Sequence, residues 1–269
     1  MSSGGISTVS ASSQVNAGNR GHVIVSGSYG GEYNAYHAGK WGLRGVVLND
    51  AGVGFGDAGI RGLAYLDRIG LPAATADAWT CHIADGAHML EHGIVSHVNE
   101  AAARLGCRVG ESVRAVAERM SNAPVVEGEL PPIAGGERHT IRDVAGMPPV
   151  ICLDAAPMLV PADAGAIAVT GSHAALFRGQ PDNVISIDLT GIFFSDGGMG
   201  MDGAGITRLA DLDKRGMPAG AAAAASASIG NSRSIYERGV LSNVNEAARR
   251  LGIVPGMRVA EAVERLSRP

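Results

Sequence analysis

This chain repeats itself, and that constrains its fold more than any other feature. VNEAAARLG at Val98–Gly106 recurs as VNEAARRLG at Val244–Gly252. DAGIRGLAYLDRIG, ending at Gly70, recurs at the same spacing as GAGITRLADLDKRG, ending at Gly216. NDAGVG at Asn49–Gly54 pairs with SDGGMG at Ser195–Gly200. VSGS at Val25–Ser28 pairs with VTGS at Val169–Ser172 after a short insertion or deletion. Several blocks in one order exclude a chance motif match and define a repeated structural unit. The expected organisation is a first α/β repeat at 1–121, a linker at 122–148 rich in Pro and Gly, and a second α/β repeat at 149–269.

Each copy alternates apolar runs with helical stretches. HVIVSGS and AIAVTGS read as strands, as do Gly45–Leu48, Gly191–Phe194, Pro72–Thr75 and Val150–Leu153. Between them, Ile60, Leu63 and Leu66 share one helix face, with Asp57 expected as N-cap and Gly70 as stop. A longer amphipathic helix is expected around Val95–Leu105, and a last helix carries Val113 and Ala117. This alternation predicts an α/β fold: a tandem duplication of a Rossmann-like unit with mostly parallel sheets and halves related by a pseudo-two-fold.

Composition narrows the function. The net charge is −4 and no Lys/Arg cluster occurs, so nucleic acid is not an expected partner. No apolar run is long enough to span a bilayer. Cys81, Cys107 and Cys152 are odd in number and scattered, which fits a cytoplasmic protein better than a disulfide framework. Gly makes up 39 of the residues, which implies many tight turns.

In parallel α/β sheets ligands bind beyond the carboxyl ends of the strands. In the first such loop, Ser28 with Gly30 and Gly31 follows a strand and precedes a helix, a geometry suited to cradling an anion or to presenting a nucleophile. The alternative is that Ser28 and Ser172 are helix N-caps. In the second loop, Asp50 and Asp196 occupy matched places, either as Asx-turns or, for Asp50, as the carboxylate that orients His82. The third loop offers His82 as acid/base and the pattern His88-Met89-Leu90-Glu91-His92, the H-x-x-E-H order of inverted zincins. Two histidines four apart share a helix face, so His88 and His92 are candidate Zn²⁺ ligands, with His82 or Asp85 as a third. Against this, the second copy keeps Glu237 without any His.

The copies are chemically unequal. Six histidines lie in the first and only His173 in the second. Tyr33 and His37 are expected to line a pocket, and Ser172, His173 and Arg233 to add substrate contacts, Arg233 as clamp for a carboxylate. These features predict a small-molecule enzyme doing hydrolysis or related acid–base chemistry on an anionic carboxylate- or amide-bearing metabolite. Ser28, His82 and Asp50 would be its catalytic set, and no motif implies an organic cofactor. Two other readings stand beside it: a non-catalytic anion or metabolite binder, and a subunit of a homo-oligomeric assembly.

Overall fold

The computed structural model describes residues 4–180 and 184–268. It divides into two compact units. The first comprises Met1–Val53, Asp57–Gly135 and the short segment Gly200–Asp202; the second comprises Gly54–Gly56, Gly136–Met199 and Gly203–Pro269.

The first unit is built on a five-stranded sheet in the order β1 (Ile6–Val9), β2 (Val23–Tyr29), β3 (Gly45–Asn49), β4 (Ala73–Ala76), β5 (Val95–Val98). The first four strands are parallel and β5 is antiparallel. Alternation along the strands splits the core between the two faces. Ile24, Val46 and Leu48 bury against α1 (Glu32–Gly39) and α2 (Gly62–Asp67). Val23, Val25 and Val47 bury with Met89 of α3 (Gly86–His92), Ala102 of α4 (Glu100–Arg104), and Val113 and Met120 of α5 (Val113–Met120).

The second unit repeats this plan in a six-stranded sheet: β6 (Arg138–Arg142), β7 (Val150–Leu153), β8 (Ile167–His173), β9 (Gly191–Ser195), β10 (Ala219–Ala222), β11 (Leu241–Val244). Here β6 and β11 are the antiparallel members. Its helices are α6 (Arg208–Lys214), α7 (Ser232–Arg238), α8 (Glu246–Arg250) and α9 (Val259–Leu266). Phe193 and Phe194 are its largest fully buried side chains, one on each face of the sheet. The two halves are alike, as a duplication would leave them.

Three local expectations need correction. Val95–Leu105 is not one helix: Val95–Val98 is strand β5, and Asn99 caps the short α4 through Ala102 N–H. Val95 and Val98 are β-formers on a half-buried surface, while the EAAAR that follows is helical. Asp57 does not cap α2. It sits at φ 58° in a loop where Ala51, Gly52, Val53, Gly54 and Gly56 also have positive φ, a left-handed path that the glycines make possible. Finally, the stretch 122–148 carries structure. Val126 bridges Leu43, Leu130 is buried, and the Tyr65 hydroxyl donates to Pro131 O in the first unit, while residues 138–142 form β6 in the second.

The repeated VNEAA block has a structural explanation. Asn99 Oδ1 accepts from Ala73 N and Ala102 N, and its Nδ2 donates to Leu71 O. Asn245 makes the matching bonds to Ala219, Ala248 and Met217. Each buried amide ties a helix start to a sheet strand.

Candidate functional site

The carboxyl ends of the first unit's strands are closed by the chain itself. Strand order follows sequence order, and α1 and α2 cover the same face, so the connections β2–α1–β3 and β3–α2–β4 create no switch point at which a crevice would open. The loop after β4 then runs back over β2: Ala84 N donates to Gly27 O, and a Cβ at Gly27 would lie 2.4 Å from Asp85 N. In the second unit Gly230 N donates to Gly171 O in the same way.

This packing gives several candidate residues other tasks. Ser28 is 7% exposed, and its hydroxyl accepts Ser12 N–H at 2.9 Å. Ser172 takes Ala156 N–H at the same distance. Neither caps the helix that follows it: the N-cap of α1 is Gly31, without a side-chain bond. Nor is the first loop an open anion cradle, because Ser28 N donates to Ser26 Oγ and Gly30 N to Asn49 O. Asp50 is buried, and its Oδ1 accepts from Gly52 N and Ala78 N; Asp196 does the same with Gly198 N and Ala224 N. These are Asx-turns that also anchor the loop beyond the next strand. No hydrogen bond joins Asp50 to His82. Cys81 is fully buried, and burial pushes its thiol up to about 12, so it is inert at neutral pH.

Three histidines of the first unit, His82, His88 and His92, gather on the third loop. His82 Nε2 lies 3.1 Å from Asp202 Oδ2, within the same compact unit. The His82 side chain is 32% exposed and that of Asp202 73%. The His82 ring stacks on His88 with centroids 3.7 Å apart and planes 10° from parallel. The His82 backbone N–H donates to His88 Nδ1 at 3.2 Å. Asp85 caps α3 through Ala87 N and His88 N, which fixes the helix start that carries His88. Burial, and then the neighbouring His82 and His92, hold the His88 pKa below its usual value, so His88 is neutral at pH 7. With a carboxylate accepting at Nε2, neutral His82 carries its proton there and leaves Nδ1 as the basic nitrogen.

The same geometry does not fit the metal reading of His88 and His92. Their ring centroids are 4.4 Å apart and tilted, His82 lies flat on His88, and His88 Nδ1 is already an acceptor. Stacked rings hold their lone pairs side by side, whereas Zn²⁺ needs them to converge on one point. Among the described residues no group of three or more His, Cys, Asp or Glu side chains is placed to hold a metal ion.

The other candidates lie elsewhere. Tyr33 and His37 pack against each other along α1, with ring centroids 4.5 Å apart and planes tilted by 56°. In the second unit His173 Nδ1 accepts Ala175 N–H, and burial, helped by Arg208, pushes its pKa down to about 3. Arg233 pairs with Glu237 along α7 at 2.8 Å and lines an open cavity of about 310 Å³ with His139, Asp154 and Arg238. The residue that sequence reasoning missed is Asp202. It sits in a glycine turn far from His82 in the chain, and only its repeat partner Gly56 marked the position. No family model matches the chain, and neither a curated protein nor a solved structure is significantly similar to it.

Proposed function

We propose that this chain is an enzyme of small-molecule metabolism that performs hydrolysis or a related proton transfer on an anionic, carboxylate- or amide-bearing compound, with His82 as its acid/base. The observation that carries this reading is the Asp202–His82 pair, with His82 stacked on a neutral His88 and partly open to solvent. Asp202 orients the ring. Nδ1 of His82 takes the proton from water or from the substrate. Ser28 and Asp50 have no part in this version, since both are buried in loop-holding hydrogen bonds. We place the protein in the cytoplasm, where its three buried, unpaired thiols would persist. No helix among the described residues is long and apolar enough to cross a membrane.

The test has two parts. Nitrogen NMR of the imidazoles at neutral pH should show His82 protonated at Nε2, and Asp202→Asn should change that population. A panel of esters, amides and carboxylate metabolites should then yield a substrate whose turnover falls about 100-fold or more in His82→Gln. Wild-type turnover in that variant would overturn the assignment.

A second reading, binding without turnover, is favoured by the cavity around Arg233. It predicts that a carboxylate raises the melting temperature, that Arg233→Ala abolishes the shift, and that His82→Gln leaves it intact.

A further inference from the structure

Among the described residues, the outer edge of the first sheet is bare where the matching edge of the second is covered. In the second unit β6 runs antiparallel along β7, with His139 opposite Cys152 and Arg142 opposite Val150. By the repeat, β7 corresponds to β1, which ends the five-stranded sheet and, among the described residues, pairs only with β2. All four residues of β1 are half-exposed, whereas all four of β7 are buried. Val23 N donates to Gly5 O, so Gly5, Ser7 and Val9 direct their backbone groups to β2. The N–H and C=O groups of Ile6 and Thr8 therefore face outward. The next outward group, Ser10 N–H, is closed by Gln14 Oε1 at 2.8 Å. The open ladder thus spans Ile6 and Thr8, the positions matching Val150 and Cys152.

Side chains identify what fits there. Arg142 of β6 donates to Glu264 Oε1 at 2.7 Å and to Ser267 Oγ, at the end of α9. The first unit keeps both acceptors, Glu118 and Ser121, at the end of α5. No hydrogen bond or ion pair engages the Glu118 carboxylate among the described residues. The receiving carboxylate is present without an arginine. A second copy of this chain supplies none through β1, whose sequence is Ile-Ser-Thr-Val, and its β6 is already paired.

We propose that the β1 edge docks an extended segment of another protein, antiparallel to β1, with an arginine opposite Ile6 that pairs with Glu118. Backbone bonds at Ile6 and Thr8 would supply the pairing, and the arginine the choice of register and partner.

The probe is a labelled synthetic peptide with the sequence of residues 136–148, GERHTIRDVAGMP, titrated into the full chain. We expect saturable binding, slowed hydrogen exchange at the Ile6 and Thr8 amides, and loss of binding in Thr8→Pro. Glu118→Lys, an exposed change that leaves the fold alone, should weaken binding about fivefold, and a peptide with Glu in place of its second Arg should recover the loss. The proposal is overturned by absent binding. It is also overturned if protection appears at Val150 and Cys152 instead, since the peptide would then have displaced β6. Concentration-dependent self-association that protects Ile6 and Thr8 and ignores Glu118→Lys would assign the edge to a second copy and refute the basic partner.

Discussion

Removing the hydroxyl of Thr170 should make the second unit more stable. Thr170 is fully buried on β8, and its Oγ1 has no hydrogen-bond partner. The repeat explains why. The matching Ser26 on β2 pairs with Ser12 Oγ at 3.1 Å and accepts Ser28 N–H. The position of Ser12 is Ala156 in the second unit, so the partner hydroxyl is gone. A buried hydroxyl without a partner forfeits about 1–3 kcal/mol of hydration. Thr170→Val keeps the shape and removes that penalty, so a gain of about 1–2 kcal/mol is expected. In a unit of this size that is about 3 °C or more in Tm. Ala156→Ser should gain a similar amount by restoring the pair. The double variant should fall short of the sum, because its new serine would face a valine. Thermal and urea unfolding of the three variants decide the matter. If Thr170→Val is neutral or destabilising, the orphan hydroxyl does not carry the cost assigned to it.

Asn99→Ala should cost about 3 kcal/mol, because it removes the α4 cap and strands buried groups of Ala73 and Leu71, whereas Ser112→Ala, which removes a simple helix cap, should cost about 1 kcal/mol in the same urea titration; equal costs would refute the bridging role. His173 is neutral when folded, while the unfolded chain protonates it below about pH 6.5. Its depressed pKa therefore makes stability fall as pH drops from that value toward 3, by at most about 1.4 kcal/mol per pH unit. His173→Asn, which keeps an acceptor for Ala175 N–H, should flatten that acid slope, and an unchanged slope would show that His173 is not its source.

Several features were legible in the residues alone, each because its signal is local. Apolar runs of strand length placed β2, β3, β8 and β9, and the spacing of Val113 and Ala117 placed α5. The matched blocks announced two similar halves. The Asx-turn reading of Asp50 was legible too, since such a turn needs only the next two residues. What the residues left open depended on partners distant in sequence. Whether Ser28 is a nucleophile or a scaffold turned on Ser12 N–H, and whether Asp50 holds loops or serves chemistry turned on Ala78 N–H, which donates to its Oδ1. The H-x-x-E-H spacing put two histidines on one helix face, but only the fold brings His82 flat against one of them, where convergence on a metal is lost. Strand β6 was hidden in a stretch rich in Pro and Gly, because an edge strand with one neighbour needs little apolar sequence of its own. The α/β class and the repetition are written in the residues, through periodicity that each segment carries within itself. The tertiary structure decided which polar groups are spent on the scaffold and which remain for chemistry, because burial and hydrogen-bond pairing belong to groups that meet only when the chain is folded.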